Sequence, residues 1–141
     1  MNAIFLLKPK SAVDYLYDDD SFRHGLDVLR TTGFTAIPVI TREGFYAGSI
    51  RAADLLWYLA DHRTDAPETL FSVPIRALLR NGWNPAVGVS VTMDELLARA
   101  MDQNFVPVTD DRDTFIGIIT RREILGYFMH RQGPEPDREK Q

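Results

Sequence analysis

Two adjacent arginines stand where a strand should give way to a helix, in the segment FIGIITRREIL (residues 115–125). The first turn of a helix carries the positive end of the helix dipole, so it is an unfavourable place for cations. The same turn exposes backbone N–H groups that bind phosphate, and guanidinium groups beside it add charge-assisted hydrogen bonds. Arg121 and Arg122 therefore predict a phosphate-bearing ligand at this turn.

Two other interpretations of this turn stay open. Thr120 and Glu123 have the spacing of a capping box, in which each residue satisfies an exposed amide of the other. A capping box is compatible with ligand binding. The alternative for the arginines is that they are solvated surface charges or pair with the acidic side chains at 110, 111 and 113.

Other chemistry is poorly supported by the sequence. The acidic runs at 18–20 and 110–113 lack the ligand spacing and the glycine of a calcium loop, and turn or helix-start chemistry explains them. The chain has no cysteine, and its 3 histidines are widely scattered, so we expect no metal site. With no nucleophile beside a base and no phosphate-cradling glycine loop, we expect no catalysis.

Composition places these residues in an ordinary globular chain. The 141 residues suit one compact unit, and 45% hydrophobic with 26% charged residues is typical of a soluble protein. No apolar run approaches the roughly 18 residues of a membrane span, and the N-terminus lacks a secretory signal, so we expect a cytoplasmic protein. A net charge of −4 argues against broad nucleic-acid binding.

The chain repeats itself once. Residues 34–59 and 104–129 share a pattern in one fixed frame, since Pro38 and Pro107 lie 69 residues apart. The matched pairs are Pro38 with Pro107, Val39 with Val108, Gly48 with Gly117, Asp54 with Glu123, Leu56 with Leu125 and Tyr58 with Tyr127. The agreement predicts two structurally equivalent halves.

The first half has the pattern of a β-α-β-β-α unit. Residues 12–17 alternate as a strand does, and a helix with Phe22, Leu26 and Leu29 on its apolar face follows. Strands are then predicted in AIPVI (36–40) and FYAGSI (45–50), and a second helix turns its inner face through Leu55, Leu56 and Leu59.

The second half repeats these elements. A lead-in helix is predicted in PIRALL (74–79), a strand in AVGVSV (86–91), and a helix over 94–102 with Leu97 and Met101 inward. The hairpin FVPVT and TFIGII and the final helix follow. We therefore predict an α/β fold: repeat 1 at 1–62, a linker at 63–73, repeat 2 at 74–132 and a disordered tail at 133–141. Halves this small should pack face to face as one pseudo-symmetric module with two clefts.

The doubled hydrophobic-Pro-Val strand, with a glycine-bearing strand and an acidic residue six positions after that glycine, resembles a tandem pair of cystathionine β-synthase (CBS) domains, a Bateman module. TTGFTAIPVI and NFVPVTDDRDTFIGIITRR further resemble the small stand-alone bacterial CBS proteins that bind cyclic di-AMP. The resemblance implies a regulatory nucleotide ligand, a homodimer formed through the second helices and an unidentified protein effector.

The resemblance also assigns residues to the two clefts, each of which joins loop and strand residues of one repeat to the strand-to-helix turn of the other. The first cleft would contain Ser11, Ala12, Val13, Phe34, Thr35, Ala36, Ile37, Thr120, Arg121, Arg122 and Glu123. The second would contain Pro85, Ala86, Asn104, Phe105, Val106, Arg51 and Asp54.

Neither cleft follows the usual pattern of a hydroxyl at the turn and Asp three positions later, which holds the ribose. The first has Thr120 but Glu123, and the second has Asp54 but Arg51. AMP, ADP or ATP stays an alternative ligand. Asp54 favours this alternative, and Arg51 argues against it. A ligand-free dimerisation or scaffold module is a second alternative, in which the arginines are surface charge.

Four aromatic residues on the second helices exceed what one inner stripe needs. They are Trp57 and Tyr58 in repeat 1 and Tyr127 and Phe128 in repeat 2. Part of this surface is therefore expected to meet another subunit.

Overall fold

The computed structural model describes residues 2–132, and the tail predicted at 133–141 lies outside them. The α-helices are α1 (Phe22–Thr32), α2 (Ala52–Asp61), α3 (Pro67–Phe71), α4 (Met93–Ala100) and α5 (Arg121–Gln132). The strands are β1 (Lys8–Pro9), β2 (Leu16–Tyr17), β3 (Ala36–Ile40), β4 (Tyr46–Arg51), β5 (Val87–Gly88), β6 (Phe105–Thr109) and β7 (Phe115–Thr120). No helix within residues 2–132 is long and apolar enough to cross a bilayer.

The two repeats build sheets of the same register. In repeat 1 the parallel pair β2–β3 sets Leu16 against Val39, and in repeat 2 the parallel pair β5–β6 sets Val87 against Val108. Val39 and Val108 are matched positions of the sequence repeat, and each repeat continues into an antiparallel hairpin, β3–β4 or β6–β7. The α/β fold with two pseudo-symmetric β-α-β-β-α repeats is confirmed.

The first strand of each repeat is shorter than predicted. Only Leu16–Tyr17 and Val87–Gly88 form ladders, where residues 12–17 and 86–91 were expected. The parallel partner strands supply paired positions only at their C-terminal ends, so the flanking residues have no ladder to join. Lys10–Ala12 forms a 3-10 turn instead.

The inward face of α4 differs from the prediction by one residue. Leu96 and Ala100 are buried, whereas Leu97 is 37% and Met101 78% exposed. Adjacent apolar residues at 96–97 and 100–101 make two helical stripes of equal spacing, so periodicity alone could not choose between them. In α2 the same ambiguity recurs, since Leu55 is buried and Leu56 is exposed.

The two hydrophobic cores exchange chain segments. Ala3 is buried in the core of repeat 2, and Ile75 and Leu78 are buried in the core of repeat 1. Strand β1 reaches repeat 2 by pairing with β7 at Gly117, where a Cβ would lie 2.2 Å from the carbonyl oxygen of Lys8. Gly117 is thus required by the close approach of the N-terminal segment.

A third apolar cluster joins the repeats. Ile40 of β3 is buried with Phe105, Phe115 and Ile118 of repeat 2. The N–H of Phe115 donates a 2.9 Å hydrogen bond to the carbonyl oxygen of Gly44 in the other hairpin. The two hairpins are therefore joined at their turn ends, opposite the strand ends that carry the first cleft.

Candidate functional site

The first cleft begins where α1 ends. Gly33 takes a left-handed conformation with φ of 73° and its N–H bonds to the carbonyl oxygen of Leu29, which terminates the helix. This turn leaves Phe34 and Thr35 exposed immediately before β3, and Phe34 retains 47% of its surface. An aromatic side chain exposed to this degree at the mouth of a cavity is available to contact a planar ligand.

The opposite wall comes from the turn between β7 and α5. Thr120 pairs with Phe105 across the hairpin, and its Oγ1 accepts a 3.2 Å hydrogen bond from the N–H of Glu123. Thr120 therefore caps α5, which is one half of the predicted capping box. The N-terminal turn of α5 thereby lies beside the cleft.

These two walls enclose a cavity of about 220 Å³. The lining residues are Lys8, Val13, Asp14, Phe34, Thr35, Ala36, Ile37, Pro38, Asn104, Phe105, Ile118 and Thr120. Asn104 and Thr120 also belong to an adjoining open groove of about 620 Å³, whose other lining residues are Arg121, Arg122, Leu125, Gly126 and Met129. A concave, mostly apolar cavity with a few polar groups in its lining is typical of small-molecule sites.

The two arginines of the turn have different surroundings. The Nε of half-buried Arg121 donates a 2.8 Å hydrogen bond to the carbonyl oxygen of Ala100, at the C-terminal end of α4. That end carries negative partial charge, so the guanidinium stabilises it. Arg122 is exposed, and no hydrogen bond or ion pair reaches its side chain from the described residues. The sequence does not distinguish the two arginines. In the structure the side chain of Arg121 has a hydrogen-bond partner, and that of Arg122 has none within residues 2–132.

The structure regroups several of the predicted residues. Asn104 and Phe105, assigned to the second cleft, line the first cavity. Ser11 and Ala12 are exposed at the 3-10 turn and are absent from the cavity lining, and Glu123 is exposed in the first turn of α5. The sequence reasoning missed Lys8, which β1 brings to the cavity by crossing β7.

The second cleft has its acidic residue already neutralised. Asp54 is 7% exposed and accepts a 2.8 Å hydrogen bond from the backbone N–H of Arg51 and a 3.0 Å bond from that residue's guanidinium. The Nε of Arg80 lies 3.4 Å from the same carboxylate. Asp54 thus serves as the N3 partner of α2 and the counterion of two arginines.

Trp83 completes this cluster. Its ring lies 5.2 Å from the guanidinium carbon of Arg51 and 4.6 Å from that of Arg80, within cation–π range. Pro85 and Ala86 line an open surface pocket with Arg80 and Trp83, while Val106 is fully buried in the repeat 2 core. The residues predicted for the second cleft therefore do not converge on one cavity.

Comparison with known proteins identifies the family and the fold of the chain. The family model for the CBS domain matches residues 8–61 and 84–130, together more than half of the chain. The chain belongs to the CBS domain family. No curated protein matched the sequence.

Three solved structures give the relation to other CBS pairs. A CbpB in complex with c-di-AMP has a TM-score of 0.82 at 26% identity, over 91% of this chain and 84% of that chain. CbpB of Listeria monocytogenes in complex with c-di-AMP has a TM-score of 0.76 at 25% identity, over 89% and 96%. CBSX2 in complex with AMP has a TM-score of 0.75 at 17% identity, over 94% and 98%, a likeness that shows the fold alone. CBS pairs of this kind are typically regulatory modules.

A buried polar network lies next to the second cleft of the CBS pair. The phenol of Tyr46 donates a 2.7 Å hydrogen bond to the carbonyl oxygen of Asn84, and its oxygen lies 2.7 Å from the Ser49 hydroxyl. The side-chain amide of Asn84 donates to that hydroxyl at 3.0 Å. Burial raises the pKa of Tyr46 to about 12, more than its hydrogen bonds lower it. The network fixes the loop that carries Trp83.

Acidic residues at 18–20 and 110–113 form hydrogen bonds and ion pairs within the fold. Asp110 accepts hydrogen bonds from the backbone N–H groups of Arg112 and Thr114, which lower the pKa of its carboxyl. Asp19 lies 2.9 Å from Arg42 in an exposed ion pair. Within residues 2–132, no group of three or more His, Asp or Glu side chains is placed to hold a metal ion.

Proposed function

We propose that the protein is a non-catalytic sensor that binds cyclic di-AMP in the first cleft and signals to a protein effector. The observation that carries the proposal is the cavity between Phe34–Thr35 and Thr120, which shares Asn104 and Thr120 with a groove at the N-terminus of α5. An adenine fits the apolar cavity, and phosphate fits the helix N-terminus beside Arg122.

The groove favours a cyclic dinucleotide over a mononucleotide. A mononucleotide needs only one base pocket and one phosphate site. The groove continues past the turn along Leu125, Gly126 and Met129, which offers an apolar surface for a second adenine. The two structural neighbours with c-di-AMP share 25% and 26% of their sequence with this chain, and they support the same ligand.

The ligand would act by joining the two repeats. Phe34 and Thr35 belong to repeat 1, and Thr120 and Arg122 belong to repeat 2. A molecule that contacts both sides favours one relative arrangement of the repeats, in proportion to its differential affinity for that arrangement. The effector would read this arrangement on the outer surface.

The proposal includes a homodimer formed through α2 and α5. Leu56 and Trp57 of α2 are 56% and 60% exposed, and Tyr127 and Phe128 of α5 are half-buried. Large apolar side chains grouped on outer helices are typical of protein interfaces.

Isothermal titration with c-di-AMP, AMP and ATP tests the ligand assignment. We expect micromolar or tighter binding of c-di-AMP, about −8 kcal/mol or better, and at least tenfold weaker binding by Arg122→Ala. Arg112→Ala is the matched control, because it removes the same charge at the opposite end of the β6–β7 hairpin. Preference for AMP or ATP would replace the ligand, turnover of nucleotide would contradict the non-catalytic role, and no heat with any nucleotide would favour the ligand-free scaffold.

A further inference from the structure

The register of the two sheets identifies the counterpart of Trp83. Val87 pairs with Val108 as Leu16 pairs with Val39, so Trp83 and Ala12 each lie four residues before an equivalent position. Ala12 ends the 3-10 turn beside the first cleft. An indole therefore replaces a methyl group at the corresponding place beside the second cleft.

A second replacement meets the first one. Arg51 occupies the position matched to Thr120, at the turn that precedes the second helix of its repeat. Its guanidinium carbon lies 5.2 Å from the Trp83 ring, and its Nε is buried with no hydrogen-bond partner among residues 2–132. A buried donor without a hydrogen-bond partner lowers the stability of the folded state. The contacts of Arg51 with Trp83 and Asp54 therefore hold its side chain in this position.

In a third replacement, the second cleft lacks the aromatic residue that would contact a base. Phe34 of the first cleft is matched by Gln103, which is 7% exposed. Its amide donates a 3.1 Å hydrogen bond to the carbonyl oxygen of Pro85 and a 3.4 Å bond to that of Phe105. Gln103 thus joins the loop that carries Trp83 to the strand that would line the cleft.

We propose that the second cleft is closed by the chain's own side chains, with Trp83 and Arg51 as the plug, so that the protein takes nucleotide in the first cleft alone. The inference rests on the proposed function for the ligand of the first cleft. Asp54, the residue that would hold a ribose, is already engaged by Arg51 and Arg80. Of the two equivalent clefts, the first is then a binding site and the second is filled by a structural cluster of side chains.

Binding stoichiometry tests the plug. Isothermal titration with c-di-AMP, and then with AMP, is measured on wild type, Trp83→Ala and the double variant Arg51→Thr/Trp83→Ala, whose threonine restores the residue type of the matched Thr120. We expect one site per chain in wild type and one additional site in the double variant. Arg42→Thr is the matched control, because Arg42 stacks over Tyr17 at 3.9 Å and pairs with Asp19 outside either cleft. It should leave the number of sites unchanged.

The outcomes separate this inference from the proposed function. Two sites per chain in wild type would overturn the plug and leave the nucleotide assignment standing. No additional site in a folded double variant would also overturn the plug. If wild type binds no nucleotide while the double variant binds one, the plug stands and the proposed function fails. A thermal melt checks folding, and Trp83→Leu with Arg51→Thr replaces the double variant if the alanine version is unfolded.

Discussion

The Nε of Arg121 donates a 2.8 Å hydrogen bond to the carbonyl oxygen of Ala100, which joins the turn before α5 to the C-terminal end of α4. The backbone N–H of Arg121 donates a second 2.8 Å bond to the carbonyl oxygen of Asn104. Arg121 therefore stabilises the fold, and Arg122, its exposed neighbour, is the arginine available to a ligand.

Substitution of the two arginines should separate stability from binding. Arg121→Ala loses a charge-assisted hydrogen bond to a helix terminus and should lower the free energy of unfolding by about 1 kcal/mol. Arg122→Ala should change it by less than about 0.5 kcal/mol while weakening c-di-AMP binding. Urea unfolding and calorimetric titration of both variants provide the measurement. Equal effects of both variants on stability would contradict this division of roles.

Gly117→Ala should strongly destabilise the protein. The added Cβ would lie 2.2 Å from the carbonyl oxygen of Lys8, so β1 would have to separate from β7. We expect the free energy of unfolding to fall by about 3 kcal/mol or more, because the substitution both overpacks this site and places a side chain at a positive φ of 154°.

Gly126→Ala is the control, because its Cβ position in α5 has no atom within 4 Å apart from its chain neighbours and the backbone of its own helix. Replacing a helix-interior glycine there should stabilise the chain by about 0.5 kcal/mol. Chemical denaturation of the two variants compares them directly. A Gly117→Ala variant as stable as wild type would show that the N-terminal segment does not cross at this point.

Leu96 and Leu97 test the orientation of α4. Leu96 is fully buried, and its truncation to Ala should cost about 3 kcal/mol, whereas Leu97 is 37% exposed and its truncation should cost much less. The difference in unfolding free energy between the two variants is the measurement. A larger loss for Leu97→Ala would restore the inward face predicted from the sequence.

Tyr46 should make stability depend on pH in alkaline solution. Its pKa is raised from 10.0 to about 12 in the folded protein, so the folded state retains the proton that the unfolded chain loses. The contribution is fully present below pH 10 and is lost as pH rises from 10 towards 12. Stability should therefore fall across this window by about 2 kcal/mol, and Tyr46→Phe should remove that part of the slope. Ionisation of Tyr46 near pH 10, seen by absorbance at 295 nm in a still-folded protein, would disprove the shift.

The outer faces of α2 and α5 should hold a dimer together. Leu56→Asp combined with Trp57→Asp places charge in the exposed apolar group of α2 and should convert a dimer into a monomer in light scattering after gel filtration. Val89→Asp is the control, because it places a carboxylate on an exposed apolar residue in the loop between β5 and α4, outside α2 and α5. A wild type that is monomeric at micromolar concentration would contradict the interface.

Much of the fold was predictable from the repeat, because Pro38 and Pro107 fix a common frame for the two hairpins. The α4 face was not predictable, because the adjacent pairs at 96–97 and 100–101 present two stripes of equal spacing, and only packing against the rest of repeat 2 distinguishes them. The exchange of Ala3 into the repeat 2 core also has no local signal, since it depends on a contact between distant segments.

The grouping of the candidate site was predictable only in part. Phe34, Thr35 and Thr120 line one cavity, as the resemblance to CBS pairs implied. The sequence could not distinguish the surroundings of Arg121 from those of Arg122, because the difference depends on the position of the C-terminal end of α4. The Arg51–Trp83 contact joins residues 32 positions apart through a loop whose path the sequence does not specify.

The crystal structure of the protein with c-di-AMP tests the central claim most directly. We predict one nucleotide per chain, with an adenine against Phe34 and Thr35 and phosphate at the N-terminal turn of α5 beside Arg122. Nucleotide bound instead at Arg51, Asp54 and Trp83, or an empty first cleft in crystals grown with saturating ligand, would contradict it.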